Sequence, residues 1–192
     1  MMIRIAVVGE IGSGKTFVSN LFGFPVFSAD DEVAKIYKKN RIVYRKLRLK
    51  LPKFVSSFPV NKKNIITAIK YNPKNLKTIS NIIHPVVRKQ MRIFLKKNYK
   101  RKAIVLDIPL YFENNLNEKN DIVIFVSAKK KLINEALKKR KKSNINLLKK
   151  LSKLQKSLAT KKKKSDYVIV NNFRSGNIRK KVDIIKKQIF NK

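Results

Sequence analysis

An α/β fold, with one parallel sheet covered by helices on both faces, is the architecture this sequence predicts. Three observations predict it. Short apolar runs rich in β-branched residues alternate with amphipathic helical stretches, the first run ends in a glycine-rich turn, and 192 residues suffice for one compact domain with a real core. No repeat, heptad register or linker divides the chain, so residues 1–192 are expected to form a single domain.

Ile3 to Val8 is apolar and β-branched, as a strand buried within a parallel sheet should be. It runs directly into Gly9-Glu10-Ile11-Gly12-Ser13-Gly14-Lys15-Thr16. Phe17, Val18, Leu21 and Phe22 then recur at helical spacing until Gly23 and Pro25 stop the helix. Val26-Phe27 begins a second strand, and Asp30 and Asp31 stand where the next helix should start, with Val33, Ile36 and Tyr37 as its apolar face. Residues 40 to 100 read as mostly helical, with breaks expected at Pro52, Pro59, Pro73 and Pro85. Ile104-Val105-Leu106 predicts a third strand, closed by Asp107 and Pro109, and Ile122 to Val126 a fourth. Leu132 to Arg140 predicts a helix, and Ile145 to Leu158 another, striped by Ile145, Leu148, Leu151 and Leu154. Tyr167 to Val170 is the fifth strand, and Ile178 to Phe190 a closing amphipathic helix.

Composition excludes several function classes. With no cysteine and a single histidine, His84, the chain has neither a disulfide framework nor a thiolate or multi-histidine metal site. No apolar run approaches the ~20 residues that span a bilayer. Ile3 to Val8 is too short for the core of a signal peptide, so a cytoplasmic protein is expected, away from membranes. The net charge of +37 invites a nucleic-acid reading. The basic residues are mostly lysines spread through the chain, however, and the dense runs Lys138–Lys142 and Lys161–Lys164 contain only Arg140 and no aromatic. A dedicated nucleic-acid surface clusters arginine with stacking aromatics. The charge is therefore read as a solvated lysine surface that binds polyanions weakly at low salt, with no specific nucleic-acid partner.

Gly9-x-x-x-x-Gly14-Lys15-Thr16 matches the phosphate-binding loop at every position and lies where that loop must, between a strand and a helix. Gly9, Gly12 and Gly14 allow the backbone to close around an anion, and Ser13 completes the loop whose N–H groups point inward. The helix that opens near Gly14 adds its positive end, with Phe17 in its first turn. Lys15 is placed to reach the β- and γ-phosphates, and Thr16 to ligate Mg²⁺. The fold expectation thus sharpens to a three-layer P-loop NTPase type. A guanine-reading Asn-Lys-x-Asp is missing: Asn61-Lys62-Lys63-Asn64 and Asn117-Glu118-Lys119-Asn120 do not fit. Nor does Leu151-Ser152-Lys153-Leu154-Gln155 carry the glycine of a transport-ATPase signature. A small-molecule kinase needs only the loop, an acid facing the acceptor and mobile basic segments.

Five blocks, in order along nearly the whole chain, resemble the dephospho-CoA kinase family. They are Gly9 to Thr16; Val26-Phe27-Ser28-Ala29-Asp30; Ile82-Ile83-His84-Pro85 with Val87 and Arg88; Leu106-Asp107-Ile108-Pro109-Leu110-Tyr111-Phe112-Glu113; and Gln155 followed by Ser165-Asp166-Tyr167-Val168-Ile169-Val170-Asn171. The resemblance implies phosphorylation of the 3′-hydroxyl of dephospho-coenzyme A by Mg²⁺-ATP, the last step of coenzyme A synthesis. It implies a helical acceptor-binding region at about 40–100 and a lid at about 140–160, with ATP and dephospho-CoA as partners; a monomer or weak homo-oligomer is the expected working form. Asp30 is expected to orient the acceptor hydroxyl and take its proton rather than simply cap a helix, and Asp31 could compete for either job. Asp107 is expected to support Mg²⁺ through water, or simply to begin a turn. Glu113 either holds the acceptor region or pairs with a surface lysine. His84 either shapes the coenzyme A pocket or is structural, and stands where a helix carrying Arg88 would begin. Arg140 is expected to clamp the transferring phosphoryl group, with Lys139 or Lys141 as substitutes. Asn171 is expected to read the adenine edge, or else to form a turn with Asn172. The chain departs from the family pattern at Ser28, where an acid is usual, and at Ala136, where another arginine is.

Overall fold

A computed structural model describes residues 2–139 and 157–191. Among these, five parallel strands form one sheet in the order β2-β3-β1-β4-β5: β1 (Ile3–Gly9), β2 (Val26–Ser28), β3 (Ala103–Asp107), β4 (Ile122–Ala128) and β5 (Tyr167–Asn171). The registers pair Val7 with Asp107, Ser28 with Asp107, Gly9 with Val126 and Ala128 with Asn171. Because every pairing is parallel, the carboxyl ends of the strands lie along one edge, where ligands bind in open α/β sheets.

The chain divides into two compact units. The first comprises Met1–Ser28 and Asn98–Lys192 and holds the sheet. Alternation along the strands buries both faces. Ile5, Val7, Val105, Ile124, Val126 and Ile169 pack with Val18 and Phe22 at helix α1 (Lys15–Leu21), and with Ile178, Val182, Ile185 and Ile189 of the C-terminal helix Ser175–Phe190. Their neighbours Ala6, Val8, Ile104, Leu106, Val123 and Phe125 are buried on the other side. Near-continuous apolar strands are what a sheet buried on both faces requires.

At the amino end of the sheet, Arg4 forms an ion pair with Asp121, Nε to Oδ1 at 2.9 Å, and another with Glu118. Tyr111 is buried and donates its hydroxyl to Asp121. Burial first, and then that bond, holds the phenol above its ordinary pKa. Asp166 accepts from Val123 N–H at 2.8 Å and so ties the start of β4 to the start of β5.

The second unit, Ala29–Lys97, is wholly helical: α2 (Ala29–Lys39), α3 (Arg41–Lys50), α4 (Lys62–Tyr71) and α5 (Asn75–Lys97). It has its own core of Ile36, Tyr37, Val43, Leu47, Leu51, Val55, Val60, Ile65, Ala68, Ile79 and Ile83. Asn40 caps α3 by accepting from Val43 N–H at 2.9 Å, and Asn61 caps α4 through Lys63 N–H at the same distance. One expectation fails here. Pro85 breaks nothing: it lies inside the 23-residue helix α5. Ile79 and Ile83 before the proline are buried in this core and Val86 and Val87 just after it pack against the same core, and this packing outweighs the missing hydrogen bond. Helices α6 (Lys130–Lys139), α7 (Leu158–Lys163) and α8 (Ser175–Phe190) complete the first unit. The helix expected over Ile145 to Leu158 falls largely outside the described residues. Among the described residues, no helix is long and apolar enough to cross a membrane.

Phe22 is fully buried against the sheet. Phe22→Ala is expected to cost about 3–5 kcal/mol in equilibrium chemical denaturation, by lost burial and a residual cavity.

Candidate active site

The turn that follows β1 is dictated by a close approach. A Cβ on Gly9, whose φ is 141°, would lie 2.0 Å from the carbonyl oxygen of Val126, which is rigid backbone. Gly14, at φ 89°, is the N-cap of α1, and a Cβ there would meet Asn171 Nδ2 at 2.3 Å. A Cβ on Gly12, at φ 85°, would meet the side chains of Ile133 and Leu137 of α6 at 3.0 and 3.1 Å. Only glycine satisfies both the conformation and the space at these positions.

Within that loop Lys15 is buried, and its Nζ donates to the Glu10 carbonyl at 2.9 Å, which holds the ammonium over the turn. Thr16, in the first turn of α1, donates its hydroxyl to Asp107 Oδ2 at 2.6 Å. This bond joins the end of β3 to the loop, so the pair expected to serve Mg²⁺ is in direct contact. Phe17, beside them on α1, exposes its ring. Ser13 is fully buried, and its carbonyl accepts from Asn171 Nδ2 at 2.8 Å.

Asn171 is 1% exposed, and both ends of its amide serve the protein: Nδ2 goes to Ser13, and Oδ1 accepts from Phe173 N–H at 2.7 Å. It braces the loop from the end of β5, two strands away from β1 in the sheet. Sequence reasoning saw a strand-ending asparagine but could not see that β5 finishes against Ser13.

A chain with that loop, that order of strands and an acid at the end of β3 has the architecture of a P-loop kinase. The family model for dephospho-CoA kinase matches residues 3–177. The chain belongs to the dephospho-CoA kinase family. As a member it is a kinase that uses ATP to phosphorylate dephospho-CoA to coenzyme A. It is similar to the dephospho-CoA kinase of Wolbachia pipientis wMel, with 30% identity over 172 residues that cover 86% of this chain and 87% of that one. In fold it is similar to TT1252 from Thermus thermophilus, at TM-score 0.79 and 21% identity over 97% of each chain. It also resembles the Campylobacter jejuni dephospho-CoA kinase, at TM-score 0.63 and 24% identity, covering 97% of this chain and 96% of that one.

The remaining expected site residues of the kinase fall as follows. Asp30 is exposed in the first turn of α2, with Asp31 beside it, two residues beyond Ser28. His84 and Arg88 lie one turn apart in the middle of α5, so His84 does not begin a helix. Glu113 pairs with Lys161 Nζ at 2.8 Å, and Lys161 also donates to the Pro109 carbonyl at 3.2 Å. That lysine is 0% exposed. It is therefore no part of a solvated basic surface, as the run Lys161–Lys164 had suggested. A buried ammonium needs a counter-ion, and Glu113 supplies it, which fixes the segment that follows Asp107. Arg140 and most of the expected lid lie outside the described residues.

Removing the amide in Asn171→Ala leaves the Ser13 carbonyl and the Phe173 N–H without their bonds. It is expected to cost about 1–3 kcal/mol in denaturant titration. His84 is half-buried, and burial followed by the charge of Arg88 lowers its pKa from the ordinary 6.5. As the only histidine, it should give one imidazole signal in proton NMR with a midpoint below 6.5. Because the neutral ring is the form the fold prefers, stability should fall as pH drops through 6.5, and His84→Gln should flatten that slope.

Proposed function

We propose that the phosphates of ATP bind over Gly9–Thr16, that Asp30 activates the ribose 3′-hydroxyl of dephospho-CoA, and that Mg²⁺ is held by Thr16 and Asp107. What supports this reading most is the 2.6 Å bond from Thr16 Oγ1 to Asp107 Oδ2 beside a loop-tethered Lys15. A hydroxyl and a carboxylate are hard oxygen donors of the kind Mg²⁺ takes, usually together with phosphate oxygens. When bound, that ion neutralises charge on the β- and γ-phosphate oxygens.

The protein's own groups do the rest. The N–H groups of the loop and the amino end of α1 cradle the phosphates, with Ser13 held in register by Asn171. Lys15 is a compact cation whose attraction strengthens as negative charge builds on the oxygens of the transferring group. Asp30 accepts a hydrogen bond from the attacking hydroxyl and takes its proton as the new O–P bond forms and the γ-phosphorus parts from ADP. Its place in the first turn of α2, just after a strand of the sheet, suits that work. Asp31 is the other candidate for the same proton. Arg140 would screen the transferring group from water and pair with it in bidentate fashion. Arg88 and His84 suit the binding of the coenzyme A portion, and Glu113 acts by fixing the Asp107–Glu113 segment. The enzyme is read as cytoplasmic.

The test is coupled ADP release with Mg²⁺-ATP, comparing dephospho-CoA, adenosine, AMP and RNA. Only dephospho-CoA is expected to accelerate release, and Lys15→Ala to abolish it. Asp30→Asn should lower kcat about a hundredfold or more while leaving the KM for ATP near its original value. A comparable loss from Asp31→Asn, with Asp30→Asn nearly silent, would move the base one residue along.

A further inference from the structure

Phe173 follows β5 and precedes α8, and its backbone is left-handed, with φ 60°. A bulky aromatic avoids that region, which suits glycine or asparagine. Packing does not explain the choice, because the residue stays 41% exposed. Its position is nonetheless well determined. Phe173 N–H donates to Asn171 Oδ1 at 2.7 Å, and the same amide donates to the Ser13 carbonyl at 2.8 Å. The ring edge, at Cε1, stands 3.9 Å from where a Cβ on Gly14 would be, at the mouth of the phosphate loop. A strained, exposed aromatic fastened to a nucleotide loop is a feature that a ligand can explain.

We propose that the ring of Phe173 is the platform on which the base of ATP stacks. This rests on the reading that the triphosphate lies over Gly9–Thr16. Anchored there, the nucleotide carries its base outward from the loop, and the phenyl ring whose edge lies beside Gly14 offers an apolar surface within reach. Stacking needs only a π-face, so the ring supports adenine and guanine alike and contributes affinity for a base rather than a choice between purines. The Asn171 amide, committed to Ser13 and Phe173, then serves the base indirectly by setting the ring.

Two variants test this in the full-length chain. Phe173→Gly suits the left-handed backbone, so it should fold at least as well. At saturating dephospho-CoA its kcat should hold while the KM for ATP rises about tenfold. Inhibition by inorganic tripolyphosphate, which has no base, should be unchanged. The chain contains no tryptophan, so Phe173→Trp places one reporter at the site. Its emission should be quenched by Mg²⁺-ATP and not by tripolyphosphate. An unchanged KM for ATP in Phe173→Gly overturns the proposal. So does a parallel loss of ATP and tripolyphosphate binding, which would mean that the ring shapes the loop instead. If tripolyphosphate fails to compete with ATP in the unsubstituted enzyme, the phosphate-loop reading itself fails and takes the stacking platform with it.

Discussion

The close approach of β1 to β4 at Gly9, where a Cβ would stand 2.0 Å from the Val126 carbonyl oxygen, is the constraint on which the phosphate loop depends. It brings the end of the central strand hard against its neighbour, so the chain must turn sharply and at once. That turn gathers backbone N–H groups on one side and starts α1 immediately beyond it. The sheet order then does the rest. With β3 on one side of β1 and β4 on the other, Asp107 arrives within a hydrogen bond of Thr16, and β5, one strand further out, delivers Asn171 to Ser13. A loop that would be floppy in isolation is held at both ends by strands it does not belong to.

Two buried ion-pair groups carry much of this order, each joining residues distant in sequence. Lys161 with Glu113 and the Pro109 carbonyl, and Arg4 with Asp121 and Glu118, fix opposite ends of the segments that flank the sheet. Such pairs add little net stability compared with apolar packing, but breaking one partner away is costly. They therefore select one arrangement of the loops around the core. The lysine excess hides this, because one buried, paired lysine looks in the sequence like its solvated neighbours.

The sequence by itself determined the fold class and the chemistry. Period-two and near-continuous apolar runs marked all five strands to within two residues at either end, since a sheet covered on both faces leaves no other use for them. The glycine spacing of Gly9–Thr16 and the blocks around Asp30, His84, Asp107 and Asn171 identified a nucleotide loop and a family. Local rules misled at Pro85, where tertiary packing outweighed them. Pro85 sits within α5 because residues on both sides of it, Ile83 before and Val86 and Val87 after, pack against one core.

Only the tertiary structure decided which side chains act on one another. Thr16 and Asp107 are 91 residues apart, Asn171 and Ser13 158, and no local pattern encodes a bond across such a span. The same holds for Lys161, which is buried against Glu113 and the Pro109 carbonyl, both some fifty residues away in sequence. Periodicity records which face of an element meets the core, because burial of apolar surface is non-directional and repeats along the chain. Hydrogen bonds and ion pairs are directional and singular, so their partners become known only once the strands have taken their order.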